Sequence, residues 1–383
     1  MTVVALPRAL ADGPAHLAAE EARLIAGAQA AAARLGRGDR RIGVVGAGTM
    51  GRTIALAAIE AGLDVVLVDN TMAQLRSAQA DLARWVAKAG LAAVPICADD
   101  LAALAGVSIV VESVFEDAAI KTGVLRAIEA VVGDDALITT NSSSLDVDRL
   151  AGALDRPDRF IGTHFFLPAH RTPVLEVVAG RASAPATCDR ALALALTLGK
   201  LPIRAGNCDG YVGNRLFDSF WQEAAFLVED GASPDAVDAA LTGWGMALGP
   251  LATLDRIGND LLAAVLARRA AERPGIRQPA IVARLVAEGR TGARAGQGWY
   301  DYPDGGRQGV PAAAVTALVA AAGQNFAPDA IVVRCVGAAI REGRALLREG
   351  MAQSAGDIDV MFVRAYGFPA ATGGPMHLAG DDD

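Results

Sequence analysis

The feature that most restricts the fold is a glycine-rich turn between a short apolar strand and a helix. Residues 42–45 are predicted as the strand, residues 46–51 (Gly-Ala-Gly-Thr-Met-Gly) as the turn, and residues 52–61 as the helix. A second apolar strand over residues 64–68 ends in Asp69. Strands that are apolar throughout are typical of a parallel sheet that helices cover on both faces. The sequence therefore predicts an α/β fold.

The positions of the glycines favour a dinucleotide ligand. Gly46 permits a tight turn, Gly48 lets a pyrophosphate approach the backbone at the helix N-terminus, and Gly51 lets helix and strand pack closely. Asp69 is expected to accept hydrogen bonds from both hydroxyls of a ribose. A 2′-phosphate would meet this charge, and residues 70–71 (Asn-Thr) offer no arginine to bind it. We therefore expect NAD rather than NADP. The alternative is a glycine-rich turn in another kind of α/β protein.

The rest of the chain continues this pattern and then becomes helical. A helix is predicted at residues 15–36, and further short apolar strands are predicted at residues 108–111, 136–139, 159–163 and 174–178. After Gly206 the strand signal fades, and the remainder is predicted to be helical apart from a glycine-rich patch at residues 292–306. We expect a Rossmann-type doubly wound parallel sheet followed by an all-α C-terminal region.

Composition narrows the classes of partner. The 383 residues carry a formal net charge of −8 and have a pI of about 5.2, which argues against a nucleic-acid partner. No uncharged apolar run reaches the ~18 residues of a membrane span, and residues 1–14 lack the pattern of a secretory signal. The four cysteines are scattered without a C-x-x-C pair. We therefore expect reduced thiols, a cytoplasmic location and no metal site.

Polar residues near the ends of predicted strands suggest a site for proton transfer. They are residues 141–144 (Asn-Ser-Ser-Ser), His164 and Glu176, with Asn214 just beyond the predicted sheet domain. In a doubly wound sheet, the carboxyl ends of the strands face the cofactor. His164 could take a proton from a hydroxyl while hydride leaves the same carbon, and Glu176 could fix the tautomer of the ring. Taken singly, each residue has an alternative. His164 could be a core histidine capped by a backbone carbonyl, Glu176 a solvated charge or a simple ion pair, and Ser143 a helix N-cap.

Together these features resemble the L-3-hydroxyacyl-CoA dehydrogenase family over residues 41–302. The resemblance rests on seven ordered motifs, at residues 46–51, 112–116 with Lys121, 141–144, 162–166, 175–178, 210–215 (Gly-Tyr-Val-Gly-Asn-Arg) and 296–302 (Gly-Gln-Gly-Trp-Tyr-Asp-Tyr). Within the family, the pattern is most similar to the dehydrogenase part of the multifunctional β-oxidation α-subunits.

The resemblance implies a role for each matching residue. His164 would be the general base, oriented by Glu176, and Ser143 and Asn214 would hold the reacting oxygen. The residues that would line the cofactor are Gly46, Gly48, Thr49, Met50, Gly51, Asp69, Glu116 and Lys121. The implied reaction is the NAD-dependent oxidation of an (S)-3-hydroxyacyl-CoA to a 3-ketoacyl-CoA, as in fatty acid β-oxidation. For Glu116 and Lys121, the alternative is a solvated ion pair at a helix end.

Three departures from the family leave two other functions open. Leu167 stands where the family has Asn or Ser, segment 89–107 is shorter than the family's CoA-side excursion, and the hydratase domain of the multifunctional members is absent. The basic candidates for the CoA phosphates are then Arg76, Arg84 and Lys88. One alternative is a dehydrogenase of a free hydroxy acid or of an unusual thioester. The other is a catalytically weak NAD-binding partner subunit.

The helical half contains an internal repeat. Residues 223–231 resemble residues 342–350, and each copy ends in Gly-Pro, although two alanine-rich helices can also match by chance. Single-module members of the family pair two chains. The second copy is therefore expected to dock within the chain, giving a monomeric pseudo-dimer, with a homodimer as the alternative. The predicted domains are an N-terminal helix and linker (1–40), an NAD-binding domain (41–206), a first helical domain (207–310) and a second, truncated helical domain (326–383).

Overall fold

The computed structural model describes residues 5–35, 40–91, 95–272, 274–303, 308–319 and 326–380. Parts of the predicted N-terminal linker, of segment 89–107 and of the chain between the two helical domains lie outside these residues, as does the end of the second helical domain. Among the described helices, none combines the length and the apolarity that crossing a membrane requires.

An eight-stranded sheet forms the first half of the chain. Its strand order is β3-β2-β1-β4-β5-β6-β7-β8, and every pairing is parallel except that of β6 with β7. This sheet confirms the predicted doubly wound fold. The strands are β1 Arg41–Val45, β2 Asp64–Val68, β3 Ile96–Ala98, β4 Ile109–Glu112, β5 Leu137–Thr140, β6 Phe160–Phe165, β7 Val174–Val178 and β8 Leu201–Ala205.

Helices cover the sheet because its strands carry apolar side chains on both faces. Every residue of β4 to β7 is buried. On one face, strand residues such as Ile42 and Ile109 share an apolar core with Ile54 of α2, Leu82 of α3 and Leu194 of α6. The helices of this half are α1 Gly13–Ala33, α2 Thr49–Glu60, α3 Met72–Lys88, α4 Ala118–Val131, α5 Val147–Ala151 and α6 Pro185–Thr197.

The second half is mainly helical, with one correction to the prediction. It is not entirely α, because β9 Tyr300–Asp301 pairs antiparallel with β10 Val310–Pro311 beside the predicted glycine-rich patch. The helices are α7 Gly213–Glu229, α8 Pro234–Trp244, α9 Pro250–Ile257, α10 Asn259–Glu272, α11 Ile281–Ala287, α12 Ala313–Val319, α13 Pro328–Arg348, α14 Ala355–Tyr366 and α15 Pro375–Ala379.

The motif at residues 296–302 has a structural role. Asp255 of α9 accepts hydrogen bonds from the backbone N–H groups of Trp299 (2.8 Å) and Tyr300 (3.0 Å) and from the hydroxyl of Tyr302 (3.0 Å). A side chain at Gly298 would overlap the Asp255 carboxylate. The motif therefore holds the strand β9 against the end of α9.

The chain divides into two compact units, which cut across the predicted domain borders. One unit contains Ala15–Arg215 and Leu346–Ala365, so it joins the sheet, most of α1 and the segment around α14. The other contains the described parts of Met1–Pro14, Leu216–Ala345 and Tyr366–Asp383. The second helical copy thus contributes residues to both units. The four-domain division stays a prediction.

The two helical copies contact each other in the second of these units. The Trp244 ring meets the Phe368 ring edge-on, with centroids 5.3 Å apart. The N–H of Ala247 donates to the carbonyl of Gly367 (3.1 Å). The two copies therefore touch within one unit, as a pseudo-dimer would require, and the pseudo-dimer itself stays a prediction.

Candidate active site

The turn after β1 is built around glycines that serve different purposes. Gly46 has a φ of +106°, which favours glycine, and a Cβ there would lie 2.5 Å from the carbonyl oxygen of Ser113. A Cβ at Gly51 would overlap the carbonyl oxygen of Gly46. By contrast, a Cβ at Gly48 would meet nothing within 4 Å. The first and third glycines are required by the fold, and the second leaves space beside the helix N-terminus.

This space suits the phosphates of a dinucleotide. Gly48 is the N-cap of α2 and provides no side-chain cap, so the N–H groups of the first turn, which includes Thr49 and Met50, face outward toward an anion. Asp69, directly after β2, accepts hydrogen bonds from the N–H groups of Ala47 (2.7 Å) and Thr71 (2.8 Å). Its carboxylate is thereby fixed against the turn. The residues present fit NAD, while the contact of Asp69 with the ribose stays a prediction.

His164 and Glu176 form a buried pair because β6 and β7 run antiparallel. The two residues face each other in the register of these strands. His164 Nδ1 lies 2.6 Å from Glu176 Oε2, and the residues are 5% and 0% exposed. The carboxylate makes Nδ1 the protonated ring nitrogen, so Nε2 is the atom that can accept a proton. The alternatives of a backbone carbonyl as the partner of Nδ1 and of a solvated glutamate are wrong. The alternative of a simple ion pair stays open, and the catalytic roles stay a prediction.

The other oxygen of Glu176 connects this pair to the loop before α7. Glu176 Oε1 accepts hydrogen bonds from the N–H groups of Val212 (3.0 Å) and Gly213 (2.9 Å), directly before Asn214. The Asn214 side-chain amide in turn donates to the backbone carbonyl of Ser143 (3.3 Å). One carboxylate therefore orients both the imidazole and the start of α7, where Asn214 lies.

Ser143 lies in a loop after β5 that Glu116 organises. Glu116 Oε1 accepts hydrogen bonds from the hydroxyl of Ser142 (2.6 Å), the N–H of Ser143 (2.8 Å) and, more weakly, the hydroxyl of Ser143 (3.3 Å). Ser143 is not a helix N-cap, since Asp146 caps α5 with its side chain. Ser143 and Asn214 are thus joined by a hydrogen bond, and Asn214 follows the two residues that bind Glu176, while the roles of these residues stay a prediction.

Lys121 is a buried cation rather than a solvated partner. Its side chain is 1% exposed, and its Nζ donates to Glu112 Oε1 (2.8 Å) and lies 3.4 Å from Glu116 Oε2. Burial alone would raise the pKa of Glu116, but the Lys121 ammonium and the Ser142 hydroxyl outweigh it and hold this pKa below its usual range. The alternative of a solvated helix-end pair is wrong. Direct contact of Glu116 and Lys121 with the cofactor stays a prediction.

Two residues of the sequence motifs for which no role was predicted make hydrogen bonds that hold the site together. Glu112, at the end of β4, is fully buried and also accepts from the N–H of Val114 (2.7 Å) and the hydroxyl of Thr140 (2.6 Å). Asn141 Oδ1 accepts from the N–H of Phe165 (2.9 Å), next to His164. The signal in both cases was a polar residue at the carboxyl end of an apolar strand.

The arrangement can remove a proton from a hydroxyl and stabilise the oxygen left behind. His164 offers an imidazole nitrogen, Ser143 a hydroxyl and Asn214 an amide. The bonds from residues 212–213 to Glu176 and from Asn214 to the carbonyl of Ser143 connect the three. Donors placed where negative charge develops are a large term in such catalysis.

Comparisons with known proteins agree with this geometry. Residues 41–208 match the family model for the NAD binding domain of 3-hydroxyacyl-CoA dehydrogenase, and residues 210–302 match the model for its C-terminal domain. The chain is 36% identical over 369 residues to the peroxisomal bifunctional enzyme of Cavia porcellus, which covers 88% of this chain and 51% of that enzyme. The chain therefore spans about half the length of the curated relatives it matches.

Solved structures show the same fold. The (S)-3-hydroxybutyryl-CoA dehydrogenase of Ralstonia eutropha is 33% identical, with a TM-score of 0.65 over 70% of this chain and 100% of that chain. The 3-hydroxybutyryl-CoA dehydrogenase of Escherichia coli is 25% identical, with a TM-score of 0.77 over 89% of this chain and 91% of that chain. The second of these similarities extends beyond residue 302, since 89% of the 383 residues is more than the first 302 residues can provide.

Proposed function

Since the chain belongs to the 3-hydroxyacyl-CoA dehydrogenase family and is an NAD-dependent dehydrogenase, we propose that it oxidises (S)-3-hydroxyacyl-CoA to 3-ketoacyl-CoA, as in fatty acid β-oxidation. The observation that carries the proposal is the buried pair of His164 and Glu176, 2.6 Å apart. It lies in the same compact unit as the glycine-rich turn, Ser143 and Asn214.

The residues divide the chemistry among them. Bound NAD⁺ supplies the hydride acceptor. His164 Nε2 takes the proton of the 3-hydroxyl group, and Glu176 holds the ring in the tautomer that can do so. The Ser143 hydroxyl and the Asn214 amide donate to the oxygen as it gains negative charge. In the reverse direction, the same imidazolium returns the proton to a 3-keto oxygen.

The proposal is tested by NADH oxidation with three substrate conditions. The protein is mixed with NADH and acetoacetyl-CoA, free acetoacetate or no substrate, and the loss of NADH absorbance is followed. We expect turnover with acetoacetyl-CoA and little with acetoacetate. Equal or faster turnover of the free acid would overturn the thioester specificity. NADH binding without turnover of either compound would favour the weak partner subunit.

Two observations bear on the choice between thioester and free acid. Segment 89–107, shorter than the family's CoA-side excursion, favours a free acid or an unusual thioester. Leu167, which is 57% exposed two residues after β6, bears instead on cofactor contact and on the weak-subunit alternative. Against a free acid, Arg76, Arg84 and Lys88 all lie exposed on α3 and provide positive charge for CoA phosphates. The acetoacetate arm of the assay decides between them.

Assembly and location are further parts of the proposal. We propose that the two helical copies act as a pseudo-dimer within a monomer, supported by the contacts of Trp244 with Phe368 and of Ala247 with Gly367. Sedimentation of the intact protein tests this, and a stable dimer would favour the homodimer instead. The cytoplasmic location also remains a proposal, which fractionation of the source cells tests.

A further inference from the structure

A short segment of the second helical copy contacts both ends of residues 206–215, which form the loop after β8 and the first turn of α7 and include Asn214. This segment, residues 349–352, follows α13. At the start of the loop, the N–H of Gly206 donates to the carbonyl of Met351 (2.7 Å), and Ala205 forms a β-bridge with Ala352. A Cβ on Gly206 would lie 2.6 Å from the Met351 sulfur. The close approach of these two backbones therefore depends on a glycine.

At the end of this stretch, Glu349 binds the residue that follows Asn214. The two terminal guanidinium nitrogens of Arg215 donate to the carboxylate of Glu349, Nη1 at 2.6 Å and Nη2 at 2.9 Å. Arg215 Nη1 also lies 3.9 Å from the sulfur of Cys208, within the same loop. All of these residues belong to one compact unit. The loop is thus fixed on one side by Glu176 and on the other by residues 349–352.

We propose that Glu349 is a positioning residue for the dehydrogenase reaction. Through its two hydrogen bonds to Arg215 it fixes the first turn of α7, and with it the side chain of Asn214. The second helical copy, which carries no glycine-rich turn of its own, would then contribute to the active site of the first half. This inference rests on the proposed function, because it assigns Asn214 the contact with the reacting oxygen.

The physical basis is geometry rather than stability. The Glu349 side chain is 49% exposed, and an ion pair of this kind contributes little to the free energy of unfolding. A bidentate pair with a guanidinium nevertheless restricts orientation strongly. A displacement of a donor by about 1 Å can lower turnover by up to about 10²-fold. Loss of the pair should therefore change catalysis more than it changes stability.

The repeat supplies a matched control. Arg334 lies 119 residues after Arg215, and Glu349 lies 119 residues after Asp230. Arg334 of α13 binds Asp230 Oδ2, just after α7, at 2.8 Å. In the same way, Arg215 of α7 binds Glu349, just after α13, so the two ion pairs are reciprocal. Arg334 also binds Glu223 Oε1 at 2.7 Å, a contact that Asp230→Ala leaves in place. The Asp230 side chain is 39% exposed, comparable with Glu349. The residue before Arg334 is Val333 rather than an asparagine, so this pair has no site residue beside it.

The experiment compares Glu349→Ala and Glu349→Gln with Asp230→Ala in the intact chain. With acetoacetyl-CoA and NADH, we expect Glu349→Ala to lower kcat by about tenfold or more, with the KM for NADH within twofold of the wild type. In Glu349→Gln the neutral amide oxygen can still accept a hydrogen bond from Arg215, so kcat should fall less than in Glu349→Ala. Asp230→Ala should keep kcat within twofold, and both alanine variants should shift Tm by similar small amounts. Equal kcat losses in the two alanine variants, or none in Glu349→Ala, would overturn the proposal.

A second measurement separates this inference from the proposed function. Amide hydrogen exchange of the peptide over residues 206–215 reports the loop without turnover. We expect faster exchange of Val212 and Gly213 in Glu349→Ala than in Asp230→Ala. If the wild type turns over no acyl-CoA but exchange is still faster in Glu349→Ala than in Asp230→Ala, the proposed function fails and the positioning contact stands. If the wild type is active and neither readout separates the variants, the inference fails and the function stands.

Discussion

Replacing Glu176 with glutamine should abolish most turnover while leaving the fold and NADH binding intact. The carboxylate accepts three hydrogen bonds, from His164 Nδ1 (2.6 Å), Val212 N–H (3.0 Å) and Gly213 N–H (2.9 Å). Glutamine has the same shape but only one acceptor oxygen. Its amide therefore has two orientations in this buried site, and they have opposite effects on the imidazole.

In one orientation the glutamine oxygen keeps both backbone N–H groups. Its NH₂ group then faces His164 Nδ1, which must become an acceptor, so the ring proton moves to Nε2 and the base is lost. In the other orientation the oxygen serves His164, but two buried N–H groups lose their acceptor. Each unsatisfied donor costs about 1–3 kcal/mol, so the productive orientation is disfavoured by about 4 kcal/mol. This corresponds to a fall in kcat of about 10³-fold.

The assay is steady-state reduction of acetoacetyl-CoA, with the Kd for NADH measured by fluorescence. Glu129→Gln is the control for loss of a carboxylate that binds backbone N–H groups without a histidine. Glu129 accepts from Asp155 on one oxygen and from Arg156 on the other, at 2.9 Å each, and lies 3.7 Å from Arg159, so its glutamine variant reports a structural cost alone. We expect Glu129→Gln to keep its kcat and both variants to bind NADH normally. A kcat for Glu176→Gln within tenfold of the wild type would show that the carboxylate does not set the tautomer.

Three further predictions follow from other contacts. His164→Gln should lower kcat by at least ~10²-fold with the Kd for NADH unchanged, and near-normal turnover would remove His164 as the base. Asp69→Ala should weaken NAD binding by about 1.5–3 kcal/mol and narrow the gap to NADP, as titration of both cofactors will show; unchanged NAD affinity would mean that the carboxylate does not face the ribose. Burial raises the pKa of Asp238 from 3.8 to about 6, so between these values the folded state binds more protons than the unfolded chain. The free energy of unfolding from urea titrations should therefore fall across this window as pH rises, and Asp238→Asn should flatten the slope.

The order of elements was predictable because most strands are buried on both faces and therefore read as continuous apolar runs. Two strands of the eight-stranded sheet were missed for identifiable reasons. β3 has three residues at one edge of the sheet, too few for a pattern. β8 contains Pro202 and Arg204, which argue against a strand, but it lies at the other edge, where a proline without an N–H is tolerated.

The site residues were predictable as a set, and their connections were not. A histidine and a glutamate 12 residues apart can lie on neighbouring strands in many ways, and only the antiparallel pairing of β6 with β7 makes them face each other. The bonds from Glu176 to Val212 and Gly213 cross 36 and 37 residues. Backbone donors carry no side-chain signal, so a sequence cannot reveal which carboxylate they will meet.

The open space at Gly48 allows related chains that have lost nucleotide binding to be recognised by their sequence. Gly46 and Gly51 are held by steric contact with the protein itself, so a descendant needs both of them in order to fold. Gly48 has an ordinary φ of −68° and empty surroundings, so folding places no demand on it. A descendant that has abandoned its nucleotide can therefore acquire a side chain at position 48 while the flanking glycines persist. That one position can mark an inactive copy among intact ones before any other residue of the site has changed.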